Sequence, residues 1–73
     1  MCPILVRYLN ERKEHVLNEL LLKQCTLDAV FIPIQFNDGA AIRVIMREDD
    51  LKSVQAIDGV KWACYDSMFY LLK

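Results

Sequence analysis

The sequence predicts an α+β fold, one antiparallel sheet with two helices packed on one of its faces. Three observations predict it. Two alternating apolar runs, VFIPIQF and AAIRVIMR, are joined by Asn37-Asp38-Gly39, which is turn chemistry. A run of strong helix formers with apolar residues at a 3.6-residue period precedes that hairpin. A shorter helical stretch, headed by acids, follows it and leads into another β-branched run. At 73 residues the chain is expected to form a single domain over 1–73.

Residues 4–9 (ILVRYL) are β-branched and apolar enough for a first strand, with Pro3 at its mouth, where a missing N–H matters least. Asn10 then offers an N-cap and Glu11 an acid at the positive end of a helix over 11–24. Val16, Leu17, Leu20 and Leu21 form its apolar stripe, and Glu19/Lys23 make a favourable i,i+4 pair. A strand at 13–18 folding back on 4–9 is the alternative, and it conflicts with the helix formers. Cys25 to Asp28 reads as a connector. In the strand 30–36, Val30, Ile32, Ile34 and Phe36 share one face. Pro33 cannot donate to a ladder, so that strand belongs at an edge or carries a bulge. Gly39 supplies positive φ for the turn. A third strand alternates over 40–47. Glu48 to Ile57 forms a second helix, closed by Asp58-Gly59. Residues 60–65 make a fourth strand, Asp66-Ser67 a turn, and Met68 to Leu72 a last apolar strand or a segment that pairs with a second chain. The order β-α-β-β-α-β with an extra C-terminal strand is that of a ferredoxin-like sandwich.

Composition bears on function. The chain is 55% apolar, above the usual ~45–50%, and a core this small cannot hide all of it. Exposed apolar surface is therefore expected to meet another protein, most simply a second copy of the chain. The net charge is −1 and the pI about 5.7, so no global field draws the protein to nucleic acid or membrane. Cys2, Cys25 and Cys64 are odd in number and lack metal or redox spacing, which suits reduced thiols, Cys64 among them buried. Neither a signal peptide nor a hydrophobic span is read. The expected place is the cytoplasm, of a cell or an infected host.

With Val30/Ile32/Ile34/Phe36, Ile42/Val44/Met46 and Val60/Trp62/Cys64 turned to the helices, alternation sends Arg7, Phe31, Gln35, Arg43, Ile45, Arg47, Lys61 and Tyr65 to the open face. Trp62 becomes the core's largest anchor. That basic and aromatic face, or the edge at Pro33, is expected to bind protein, with Phe69 and Tyr70 of the apolar tail contributing. The alternative is a platform for single-stranded nucleic acid using Arg7, Phe31, Arg43, Arg47, Lys61 and Tyr65, although the aromatic-rich signatures of RNA-recognition folds are missing. A merely solvated sheet face would look the same in sequence.

Residues 34–57 (IQFNDGAAIRVIMREDDLKSVQAI) resemble the second half of a PB1 domain, in which strand, acidic turn, strand and a DDL-type helix start form an acidic pairing surface. The resemblance implies Asp38, Glu48, Asp49 and Asp50 as that surface, with Arg7 as a basic counterpart. The same three acids, Glu48 to Asp50, are also good helix-start chemistry.

Catalysis finds no footing. His15 sits among Glu11, Glu14 and Glu19 as a surface ion-pair residue. Ser53 and Ser67 lack a glycine elbow, and no cysteine or histidine has metal spacing. With only Gly39 and Gly59 there is no phosphate loop. The expectation is a small regulatory binding module, not an enzyme, without cofactor or metal, of the kind that occludes a larger machine.

Overall fold

The computed structural model describes residues 2–66. Among them five strands and two helices form an α+β layer pair: β1 (Cys2–Leu9), α1 (Lys13–Leu22), β2 (Thr26–Leu27), β3 (Ile34–Phe36), β4 (Gly39–Met46), α2 (Leu51–Gln55) and β5 (Val60–Tyr65). Short 3-10 turns at Asn10–Arg12 and Glu48–Asp50 lead into the two helices. The sheet is antiparallel in the order β2-β4-β1-β5, and β3 pairs with β4 as well. β2 and β3 thus lie end to end along one edge of β4. The tail strand expected over 68–72, with Phe69 and Tyr70, lies outside the described residues.

The core follows from the period of two in β1 and β4. Cys2, Ile4, Val6 and Tyr8 stand opposite Met46, Val44, Ile42 and Ala40, and all eight face the helices or pack beside them. Val16 and Leu20 of α1 and Val54 of α2 close over this face, with Ile57 just beyond. Each such side chain, fully buried, contributes about 1.5–3 kcal/mol.

The first helix is shorter than 11–24. Asn10 enters the 3-10 turn instead of capping, and its N–H donates to Asp38 O at 2.8 Å. At the other end the backbone closes as a Schellman motif: Cys25 N–H donates to Leu20 O and Gln24 N–H to Leu21 O. The position that this motif turns left-handed is Gln24, with φ 62°. The second helix is likewise shorter than 48–57: it ends at Gln55 with Ala56 as its C-cap, and Gly59, expected to stop it, lies in the turn beyond with φ 99°. Gly39 differs from expectation. It takes no positive φ; instead a Cβ there would lie 1.9 Å from Tyr8 O, so glycine lets β4 approach β1.

Two strands depart from their expected faces. The strand 30–36 shrinks to Ile34–Phe36, because Asp28 folds the preceding segment on itself. Its Oδ1 accepts the Val30 N–H at 3.0 Å and its carbonyl accepts the Phe31 N–H at 3.2 Å, so neither amide serves a ladder. Pairing of Ile34 with Ala41 and of Phe36 with Gly39 puts both side chains on the open face, not in the core. In β5 the register slips between the partners of Arg7 and Tyr8. That bulge turns Trp62, opposite Arg7, and Cys64, opposite Leu5, to the open face, and hands the core position to Ala63. Trp62 is therefore not the core anchor, and Cys64 is exposed rather than buried.

Candidate functional site

The open face holds two arginines, and each is tied down within the chain. Arg7 is only 4% exposed. Its Nη1 donates to Tyr8 O at 2.7 Å, its Nη2 pairs with Asp38, and its guanidinium lies 4.0 Å from the Phe36 ring centroid. Ala41 opposite it is small and buried, which leaves room for the guanidinium to lie flat on the sheet. Arg43 is held from both sides: Nε reaches Asp28 at 2.8 Å and Nη1 reaches Asp66 at 3.1 Å, with the Phe31 ring 4.9 Å away. Those carboxylates push the Arg43 pKa up, Asp66 foremost. Asp38 is held below the ordinary carboxylate range chiefly by Arg7. Asp28 is held below it by the Val30 N–H first and by Arg43 next.

The structure thus distributes the residues expected to act together. Arg7, Arg43 and Ile45 share the open face, and Phe31 leans on it from the loop. Lys61 sits at the β5 bulge, 3.6 Å from Asp38. Arg47 lies beyond the end of β4, exposed at the entry to the Glu48–Asp50 turn. Tyr65 lies across from Ile4, on the helix side, where its hydroxyl donates to Glu48 O at 3.2 Å. The expected basic face does not stand free, because Asp28, Asp38 and Asp66 pair with its arginines in place. Arg7 and Asp38, the two sides of the pairing surface that the PB1 resemblance implies, meet each other in the same chain.

A second surface is apolar: it takes in the Pro33 edge, which the sequence offers as a protein-binding edge, and adds a groove that the sequence does not show. Along the β2–β3 edge, the loop 28–33 carries Val30 at 87% and Ile32 at 84% exposure. From Ala29 to Asn37 no side chain is ionisable. Beside this loop, between α1 and β2, runs a groove of about 120 Å³ lined by Leu17, Leu20, Leu21, Cys25, Leu27 and Val44, with no polar lining. Leu21, expected to pack inward, lines the groove yet is exposed, and Leu22 is exposed beside it in the sequence. Burial pushes the Cys25 thiol pKa up, so the groove floor is an inert, neutral surface. The signal for this site was present in sequence as Asp28 and Pro33, which bracket the loop and keep it out of the ladder.

The remaining concavity, between the two helices, is lined by His15, Glu19, Lys23, Ser53, Ala56, Ile57 and Asp58 and is wide open. Among the described residues His15 makes no ion pair, and no three His, Cys, Asp or Glu side chains converge as a metal site. No helix among them is long and apolar enough to cross a membrane. Comparisons with protein-family models, curated proteins and solved structures find no match to this chain.

Proposed function

We propose that this chain is a small non-enzymatic protein-binding module of ferredoxin-like topology that docks a partner protein through its β2–β3 edge. The strand order and the two helical crossovers support the topology. The observation that carries the function is the pair Val30 and Ile32, almost fully exposed beside a dry apolar groove. A Val or Ile side chain left in water forgoes about 1.5–3 kcal/mol of burial. Two adjacent ones on an uncharged edge, next to a matching groove, mark a surface that is covered in use. The module would act in the cytoplasm as a regulator, by occupying a partner's surface.

The open face suits nucleic acid less well. Phosphate contacts need cations that can leave their present partners. Arg7 and Arg43 would have to exchange the carboxylates of Asp38, Asp28 and Asp66 for phosphate.

A photo-reactive residue placed at position 32, at position 62 or at position 14 tests the reading. Discrete protein adducts from position 32, and none from the other two, are expected. Adducts chiefly from position 62, or fluorescence-detected binding of single-stranded oligonucleotides that Arg43→Glu abolishes, would move the function to the open face.

A further inference from the structure

Resting on the edge as the docking surface, we infer that its occupant is a second copy of this chain, related by a twofold axis. In that dimer the apolar side chains of the 28–33 loop of each copy seat in the groove between α1 and β2 of the other. An isologous interface must be complementary to itself, since every group near the axis meets its own counterpart. This edge satisfies that demand in three ways. It has no ionisable side chain from Ala29 to Asn37, so two copies meet there without like charges in contact. It carries projecting side chains, Val30 and Ile32, and a receiving groove at the same edge of the sheet, since Leu27 of β2 lines the groove and the loop joins β2 to β3. The groove's 120 Å³ and wholly apolar lining suit one branched aliphatic side chain, for dry cavities of roughly 150 Å³ accept a benzene-sized guest.

The area is of the right order. A stable interface takes about 800 Å² from each partner, roughly a sixth of this chain's 5016 Å². Five large apolar side chains from Leu21 to Ile32 are exposed, and burying each removes up to roughly 60–120 Å² from water. Together they supply up to about three quarters of the required patch, and the polar rim around them would supply the rest. The loop is also held ready: Asp28 fixes its first turn and is itself pinned by Arg43 at 2.7 Å. Little ordering cost is then left for association.

The test is light scattering over a micromolar-to-millimolar concentration series, at low and high salt. It uses the wild type, a loop variant (Val30→Asp with Ile32→Asp) and a groove variant (Leu21→Asp with Leu27→Asp). All four positions are exposed, and unchanged circular dichroism would confirm that the variants fold. The wild type is expected to reach a dimer that salt does not weaken, and each variant to dissociate about a hundredfold more readily. Mixing the two variants should restore part of the dimerisation, since one loop and one groove stay intact in the mixed pair. A monomer at all concentrations overturns the second-copy assignment, while the crosslinks from position 32 still decide the docking edge by themselves. An open ladder of masses would show head-to-tail association and overturn the twofold. A dimer that ignores the loop and groove variants but is lost with Trp62→Asp would overturn both readings.

Discussion

The guanidinium of Arg7 lies 4.0 Å from the ring centroid of Phe36, on the open face of the sheet and nearly out of contact with water. A buried cation is tolerable only where its donors are used, and here Tyr8 O and Asp38 take them. The ring covers the ion and fixes β3 to β1 across β4. Phe36→Leu should cost about 1–2 kcal/mol, by losing the ring's attraction and some cover. Asp38→Asn should cost less, because Asp38 is half-exposed and water can take its place. Urea unfolding of both variants checks the order. An Asp38→Asn loss larger than that of Phe36→Leu would show that charge, not the ring, holds Arg7.

Acid should loosen the same edge. Asp28 and Asp38 have folded-state pKa values below their ordinary 3.8. Groups of this sign add stability that is fully present above the unfolded pKa and is lost as pH falls through the folded one. Thermal midpoints should therefore hold steady from neutrality to about pH 5 and decline below it. Replacing Asp28 with Asn should flatten that decline. A decline unchanged in the variant would remove Asp28 from the account.

Gln24 occupies the left-handed position of the Schellman motif at φ 62°. A non-glycine residue there costs about 1–2 kcal/mol, partly recovered by its smaller loss of chain entropy. Gln24→Gly should raise stability by about 0.5–1 kcal/mol, read as a shift in the urea midpoint with an unchanged slope. A destabilised Gln24→Gly would mean that the glutamine side chain contributes something the backbone does not show.

Gly39→Ala should do the opposite, and strongly. The new Cβ would sit 1.9 Å from Tyr8 O and 2.7 Å from Arg7 Nη1. Backbone has to move, and the expected cost exceeds about 3 kcal/mol, enough to unfold a domain of this size. Native-like amide exchange in Gly39→Ala would contradict the close approach of β1 and β4.

Much of the frame was legible because period and punctuation agreed. Ile4, Val6, Val44 and Met46 alternate without interruption, and Gly59 takes the positive φ of the turn that leads into β5. The failures came where a local hydrogen bond or a register shift outweighed alternation. Asp28 captured the Val30 N–H and cancelled half of a strand whose side chains alternate well on paper. A single bulge opposite Arg7 and Tyr8 reversed Trp62 and Cys64, and no composition rule marks that place. The open face was read as a site from its arginines, but their carboxylate partners come from distant positions, 28, 38 and 66, which spacing alone cannot join. Pro33 marked the apolar edge, but Val30 and Ile32 look like core until the loop is known to leave the sheet.

The most direct measurement is residue-resolved amide and methyl mapping by NMR, at low and high protein concentration, in one buffer. Leu21, Leu27, Val30, Ile32 and Ile34 should change with concentration while Leu5, Trp62 and Cys64 stay still. Changes centred on Leu5, Trp62 and Cys64, or none anywhere in a chain that remains monomeric, would contradict the edge dimer.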